Sequence, residues 1–203
     1  EACRTIGEPP PYGGLVITEI MPAPTGGGAA AEWVEVQNVL PWSVDPEGLR
    51  LASGATAVVL ACDGVVGAGG VFVAAGSADS TANGGISEVH CVWNGALLPD
   101  AAVPLPRDPA VAGRTNRLQL QTPDAVLIDD VPFLVAGVGF PDVNPGASLE
   151  LCAEQISAAA NDRGRSWHVA TVALTARFSG GDLGTPGMIG FSCGLDRLDE
   201  EGL

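Results

Sequence analysis

Lysine is missing from this chain: all nine basic residues are arginine, set against 24 acidic ones. That absence excludes a Schiff-base lysine, a phosphate-loop lysine and a lysine-to-asparagine or lysine-to-aspartate cross-link. The formal net charge of −15 repels a phosphate backbone and anionic lipid heads, so no nucleic-acid partner is expected. Apolar runs are also short. None approaches the roughly 18 residues of a transmembrane helix, and the opening "EACRTIGEPPPYGG" has no apolar core of a signal peptide, so the numbering is expected to begin after any such peptide. There are only two histidines, His90 and His168, without ligand spacing to the cysteines at 3, 62, 91, 152 and 193, and no C-x-x-C occurs. No zinc site is expected on that basis. G-x-S-x-G, H-E-x-x-H, phosphate-loop and dinucleotide motifs are absent too. "DSTANGG" (79–85) lacks the alternating Asp/Asn positions and final Glu of a calcium loop and reads as a solvated turn.

What is present is β-forming. Hydrophobic residues make up 46% of the chain, while 28 Gly and 16 Pro leave little room for long helices. Nine short segments rich in branched residues follow one another: "LVITEIM" (15–21), "EWVEVQN" (32–38), "GLRLAS" (48–53), "TAVVLAC" (56–62), "VFVAAG" (71–76), "SEVHCVW" (87–93), "NRLQLQT" (116–122), "AVLIDDVPF" (125–133) and "ASLELC" (147–152). Turn sequences such as "PTGGG", "DPEG", "STANGG" and "TPDA" separate them, the pattern of an all-β sandwich or barrel. "RLQLQTPDAVLIDDV" is the clearest hairpin, and "AEQISAAAND" the one helix candidate, short enough to be a connection. The expected organisation is a Pro-rich lead-in over 1–13, one β-sandwich over 14–193 and an acidic tail over 194–203.

The carboxylates decide whether chemistry is expected. Alternation puts Val34 and Val36 on one face of their strand and Trp33, Glu35 and Gln37 on the other; Val16 and Ile20 are likewise set opposite Glu19. If the aliphatics face the core, Glu19 and Glu35 face water, where nothing raises a carboxyl toward a general acid's working range. Should the two strands pair, the carboxylates approach closely enough for a calcium-type cation; otherwise no cofactor is expected. Trp33 needs a cover, either the chain beyond residue 147 or a partner. Trp33, Glu19, Glu35 and Asp182 are thus the candidate binding residues, and no catalytic residue is assigned. His90 and His168 read as surface residues.

Five cysteines without metal spacing point to disulfides in an oxidising compartment. Cys62 with Cys91 closes a loop worth about 3–4 kcal/mol on the chain-entropy model. Cys152 with Cys193 would pin the end of the chain to the sandwich and leave Cys3 for a lipid anchor. The alternative is a Cys3–Cys193 bridge with Cys152 buried as a free thiol.

The order of the pieces, "LVITEIM", "EWVEVQN", "GLRLAS", "GAGGVFVAAG" (67–76), a Trp-containing strand, "NRLQLQTPDAVLIDDVPF", "GASLELC" (146–152), Trp167 and "GDLGTPG" (181–187), resembles the lamin tail domain, in particular its branch in secreted bacterial proteins. The resemblance spans roughly residues 15–187. It implies an immunoglobulin-like β-sandwich, here of about nine strands with a C-terminal extension packed on it. It further implies a protein-interaction or anchoring module without catalytic residues, outside the cell or on a bacterial surface. Two departures stand out: Leu49 replaces the family's tryptophan in the third strand, and a long Pro-rich insert occupies 97–115. Two functions follow as expectations: a module binding another protein or its own copies, and, alternatively, a cation-dependent hydrolase or carbohydrate-binding domain using Glu19, Glu35 or Asp182.

Overall fold

The computed structural model describes residues 9–26, 28–53, 56–93, 117–133, 139–142, 144–172 and 181–193. Among these residues eleven strands form two sheets. The strands are β1 (Leu15–Met21), β2 (Trp33–Asn38), β3 (Arg50–Ser53), β4 (Thr56–Val59), β5 (Ala61–Cys62), β6 (Val71–Ala75), β7 (Cys91–Val92), β8 (Leu118–Gln121), β9 (Leu127–Val131), β10 (Leu149–Leu151) and β11 (Trp167–Val169). The larger sheet runs β11-β10-β1-β2-β6-β7-β5 and the smaller β4-β3-β8-β9. Pairing is antiparallel except between β6 and β7.

Branched and aromatic side chains from both sheets meet in one core. Ile17, Ile20, Val34, Val36 and Phe72 of the large sheet face Leu51, Leu118, Leu120 and Ile128 of the small one, with Trp93, Phe133 and Trp167 among the side chains that complete the cluster. The period-2 reading of β2 is therefore right. In β1 it breaks at a bulge: the register shifts between Ile17 and Glu19, so Ile17 lies opposite Val36 and Ile20 opposite Val34, while Val16 lies opposite Gln37. The extra residue is Thr18.

A bulge leaves a backbone donor without a ladder partner, and here Asp129 of β9 takes it. Its Oδ2 accepts from Ile17 N at 2.7 Å and from Asn161 Nδ2 at 2.7 Å. Asn161 closes the short helix α1 (Ala158–Asn161), whose Ser157 cap accepts from Ala160 N, and its own carbonyl accepts from Trp167 Nε1 at 2.8 Å. One carboxylate thus joins a strand of each sheet and the helix. Burial pushes the Asp129 carboxyl up to about 6, against the pull of its hydrogen bonds.

Other expectations meet the structure with small changes. The β8–β9 hairpin is present. "TAVVLAC" is two strands: at Leu60, buried and bonded through its backbone to Leu49 and Gly48, the chain leaves the small sheet and enters the large one. "AEQISAAAND" holds a 3-10 turn (Ala153–Gln155) and the four-residue α1. β11 was not expected as a strand; its three residues are recruited by pairing with β10. Cys62 and Cys91 are register partners and form a disulfide, and a second joins Cys152 to Cys193. These bridges fit an oxidising environment. Among the described residues no helix is long and apolar enough to cross a membrane. Cys3, the insert at 97–115 and the tail beyond 193 lie outside the described residues.

Asp129→Ala leaves without an acceptor the buried Ile17 N–H and one of the two Asn161 amide N–H groups, the other remaining on Ile17 O. Urea denaturation of the variant is expected to show a loss of about 2–4 kcal/mol, the range for two unsatisfied buried donors. A loss below about 0.5 kcal/mol, the level of an ordinary surface substitution, would contradict the joining role.

Candidate functional site

The face of the large sheet turned away from the core carries Trp33 and Glu35 on β2, Glu19 and Met21 on β1, and Glu150 on β10. Register brings the acids together: Glu19 lies opposite Glu35 on one side and Glu150 on the other. The expectation that Glu19 and Glu35 look into water is overturned, since both are buried, as is Glu150. Parity was read correctly, but this face is covered.

Two pieces of chain supply the cover. Met21, Trp33, Val73, Ala75 and Ile86 form a small second core, with Val89 packed against it. Beside it, residues 181–193 run across the sheet as a strap. Gly184 sits so close that a Cβ there would lie 3.0 Å from Glu19 Oε1, Ser148 Oγ and Trp33 Cζ2. A side chain here would press on the tryptophan and the Glu19 carboxyl, which would have to give by a few tenths of an ångström, so glycine suits the strap's close approach. Trp33 is thus covered by the chain beyond residue 147, the first of the two covers expected for it.

The strap is tied down mostly through carboxylates. Asp182 accepts from Thr25 N at 3.1 Å and from the Thr25 hydroxyl. Glu19 Oε1 accepts from Ser148 Oγ at 2.5 Å and from Thr185 N at 2.9 Å. Glu35 bonds Thr18 Oγ1 at 2.6 Å and accepts from Gly187 N at 2.8 Å. Backbone bonds from Leu183 N to Gly146 O and from Ser148 N to Leu183 O extend the seam, and the Cys152–Cys193 disulfide pins its far end.

Proton counting fixes much of this network. Thr185 Oγ1 lies 3.2 Å from Glu19 Oε2 and 3.1 Å from Glu150 Oε1. A hydroxyl has one proton, so it donates to one carboxylate and the other carboxyl must bring its own. Glu19 is the protonated member. Burial drives its carboxyl well above the ordinary range, and the neighbouring Glu35 and Glu150 drive it further. The chain then reads Glu19 Oε2–H to Thr185 Oγ1 and Thr185 O–H to Glu150 Oε1, with His168 Nε2 lying 2.9 Å from Glu150 Oε2 at its end. Burial likewise pushes Glu35 up to about 8, opposed by its bonds to Thr18 and Gly187.

Five of the six oxygens of Glu19, Glu35 and Glu150 have a hydrogen-bond partner within the protein, and the sixth, Glu150 Oε2, lies buried 2.9 Å from His168 Nε2 without a well-aligned donor. The β1–β2 pairing on which the calcium-type site was conditional is present. His168 corrects another expectation. Far from a plain surface residue, it lies between Glu150 and the disulfide, with Nδ1 3.3 Å from Cys193 Sγ. His90 bonds into the sheet, its Nδ1 accepting from Val73 N at 3.3 Å. The sequence reading missed Thr18, Ser148, Glu150, His168 and Thr185. The one available signal was the "GASLEL" and "GTPG" pieces, treated there as marks of resemblance. Comparison with protein-family models, curated proteins and solved structures returns no match.

A carboxyl whose folded-state pKa is raised holds its proton more tightly when folded. The stability it carries is complete below its ordinary 4.5 and is lost as pH rises through about 8. Melting temperature is thus expected to fall between pH 5 and pH 9, and Glu35→Gln, which keeps an acceptor for Gly187 and cannot ionise, to flatten part of that fall. The two proteins differ at this one carboxyl, so the difference between the curves reports Glu35. Parallel curves would show that Glu35 is not held neutral.

Proposed function

We propose that this chain is a non-catalytic, exported interaction module of lamin-tail type, an immunoglobulin-like sandwich displayed outside the cell or on a bacterial surface that binds its own copies or another protein. The observation that carries this reading is the engagement of the acidic cluster within the fold. A hydrolase or carbohydrate-binding site needs carboxylate oxygens turned toward a ligand or cation. Glu19, Glu35 and Asp182 instead bond hydroxyls and backbone amides of their own chain, and the strap they hold lies over them.

The outer side of that strap supports a binding role. Met188, Ile189 and Phe191 are 42%, 41% and 54% exposed. Val172, whose carbonyl accepts from Gly184 N, is exposed as well. Isolated surface aliphatics are ordinary, but several large ones along one stretch mark a contact surface. β4, at one edge of the small sheet, adds the second element: it is largely exposed, ends in the exposed Val59, and among the described residues no strand pairs with its outer side, which suits it to meeting another chain.

Light scattering of the eluting protein over a concentration series tests self-association. Weight-average mass is expected to rise with concentration for the wild-type chain and to stay at the monomer value for Ile189→Asp/Phe191→Asp, with both melting at the same temperature. A monomer at every concentration would remove self-association. Hydrolysis of phosphodiester, ester or glycoside substrates with divalent metal, lost in Glu35→Gln, would overturn the non-catalytic reading itself.

A further inference from the structure

The disulfide that pins the strap is built into more than a covalent cross-link requires. Cys152 Sγ, Cys193 Sγ and His168 Nδ1 all lie within 4.8 Å of one another. The imidazole lies between two groups: Nε2 is 2.9 Å from Oε2 of Glu150, itself 1% exposed. Glu150 in turn accepts from Thr185 at its other oxygen. On its other side the ring presents Nδ1 to Cys193 Sγ, 3.3 Å away. A disulfide sulfur has no proton to give it. An imidazole whose far nitrogen lies beside a buried carboxylate is the arrangement that orients histidine ligands at metal centres.

The distances suit a tetrahedral centre. With Zn–S near 2.3 Å and Zn–N near 2.0–2.1 Å, ligand atoms at tetrahedral corners stand about 3.5 Å apart for sulfur and nitrogen and about 3.7 Å for two sulfurs. The existing Cys193 to His168 separation already matches the first edge. The second is reached when the sulfur–sulfur bond opens. Cys193 is further steadied by its backbone N–H, which donates to Glu154 at 2.9 and 3.2 Å.

We propose that, once the Cys152–Cys193 disulfide is reduced, Cys152, Cys193 and His168 form a binding site for a zinc-class divalent cation, with Glu150 orienting the imidazole. The reducing step takes two electrons and two protons from a dithiol, which leaves as its cyclic disulfide, and yields two thiols. Cation binding then releases the two thiol protons to solvent as both sulfurs ligate as thiolates. The fourth position is open to water. The strap has two ways of being pinned at residue 193, one by a covalent bond and one by a metal ion. This site stands apart from the interaction reading and does not depend on it.

The test is titration of the full chain carrying Cys3→Ser with Zn2+ and, separately, Co2+, in oxidised and dithiol-reduced forms. The reduced protein is expected to take one Zn2+ per chain, competing with a chromophoric chelator, and to gain melting temperature. With Co2+ it should show thiolate-to-cobalt charge transfer and tetrahedral visible bands. The oxidised protein should show neither. His168→Ala is expected to weaken reduced-state affinity at least tenfold. Cys152→Ser/Cys193→Ser should abolish the cobalt spectrum, whereas Cys62→Ser/Cys91→Ser should retain it. A reduced protein without the charge-transfer band, a spectrum that survives loss of Cys152 and Cys193, or affinity unchanged by His168→Ala would each overturn the proposal. Far-UV circular dichroism of each form confirms that a negative result comes from folded protein.

Discussion

Three glutamates on adjacent strands occupy one dry patch, and the rest of the outer layer exists because their charge is managed. Ionised together they would repel one another at cross-strand distance in a medium that screens poorly. Protons held on Glu19 and Glu35 by burial, the Thr185 hydroxyl between Glu19 and Glu150, and the His168 ring 2.9 Å from Glu150 at the end of the row relieve that repulsion. The donors come largely from the strap. Sheet and strap are therefore mutually dependent: the strap shields the acids from water, and the acids satisfy the strap's backbone and hydroxyl groups. A strap of thirteen residues has little apolar area of its own to bury, so this polar seam and a disulfide hold it.

The same logic governs the other side of the sandwich. The β1 bulge turns Glu19 to the outer face while keeping Ile17 and Ile20 with Val36 and Val34 on the inner one. It also frees Ile17 N, which Asp129 takes, and makes available Thr18, which bonds Glu35. One inserted residue thus connects β1 to the small sheet through Asp129 and to the clasp through Thr18.

Much of the sandwich was legible in the chain because strand parity is local. Val34 and Val36 against Trp33 and Glu35, and Leu118 and Leu120 against Gln119 and Gln121, follow from neighbours two residues apart. The bulge was not legible, since nothing in "LVITEIM" distinguishes an inserted Thr18 from a regular residue. Nor was the burial of Glu19 and Glu35, because the cover lies some 150 residues later along the chain and alternation says only which way a side chain points. His168 illustrates the same limit: its meaning depends on Glu150, eighteen positions earlier but directly opposite in register, and on Cys193 at the strap's end. Both cysteine pairs could be anticipated because each couples the ends of recognisable elements. The role of "GTPG" could not, because Gly184 and Thr185 matter through what they touch.

The missing lysine returns here with a different significance. A chain with many ammonium groups could neutralise a buried carboxylate by pairing it. This one has arginines alone, and none of the described contacts to Glu19, Glu35 or Glu150 comes from one. The charge is handled instead by protons kept on the acids and by neutral donors. That choice has a physical consequence that a salt bridge would not carry: the proton becomes a structural component of the fold. The strength of the outer layer then follows the acidity of the surroundings.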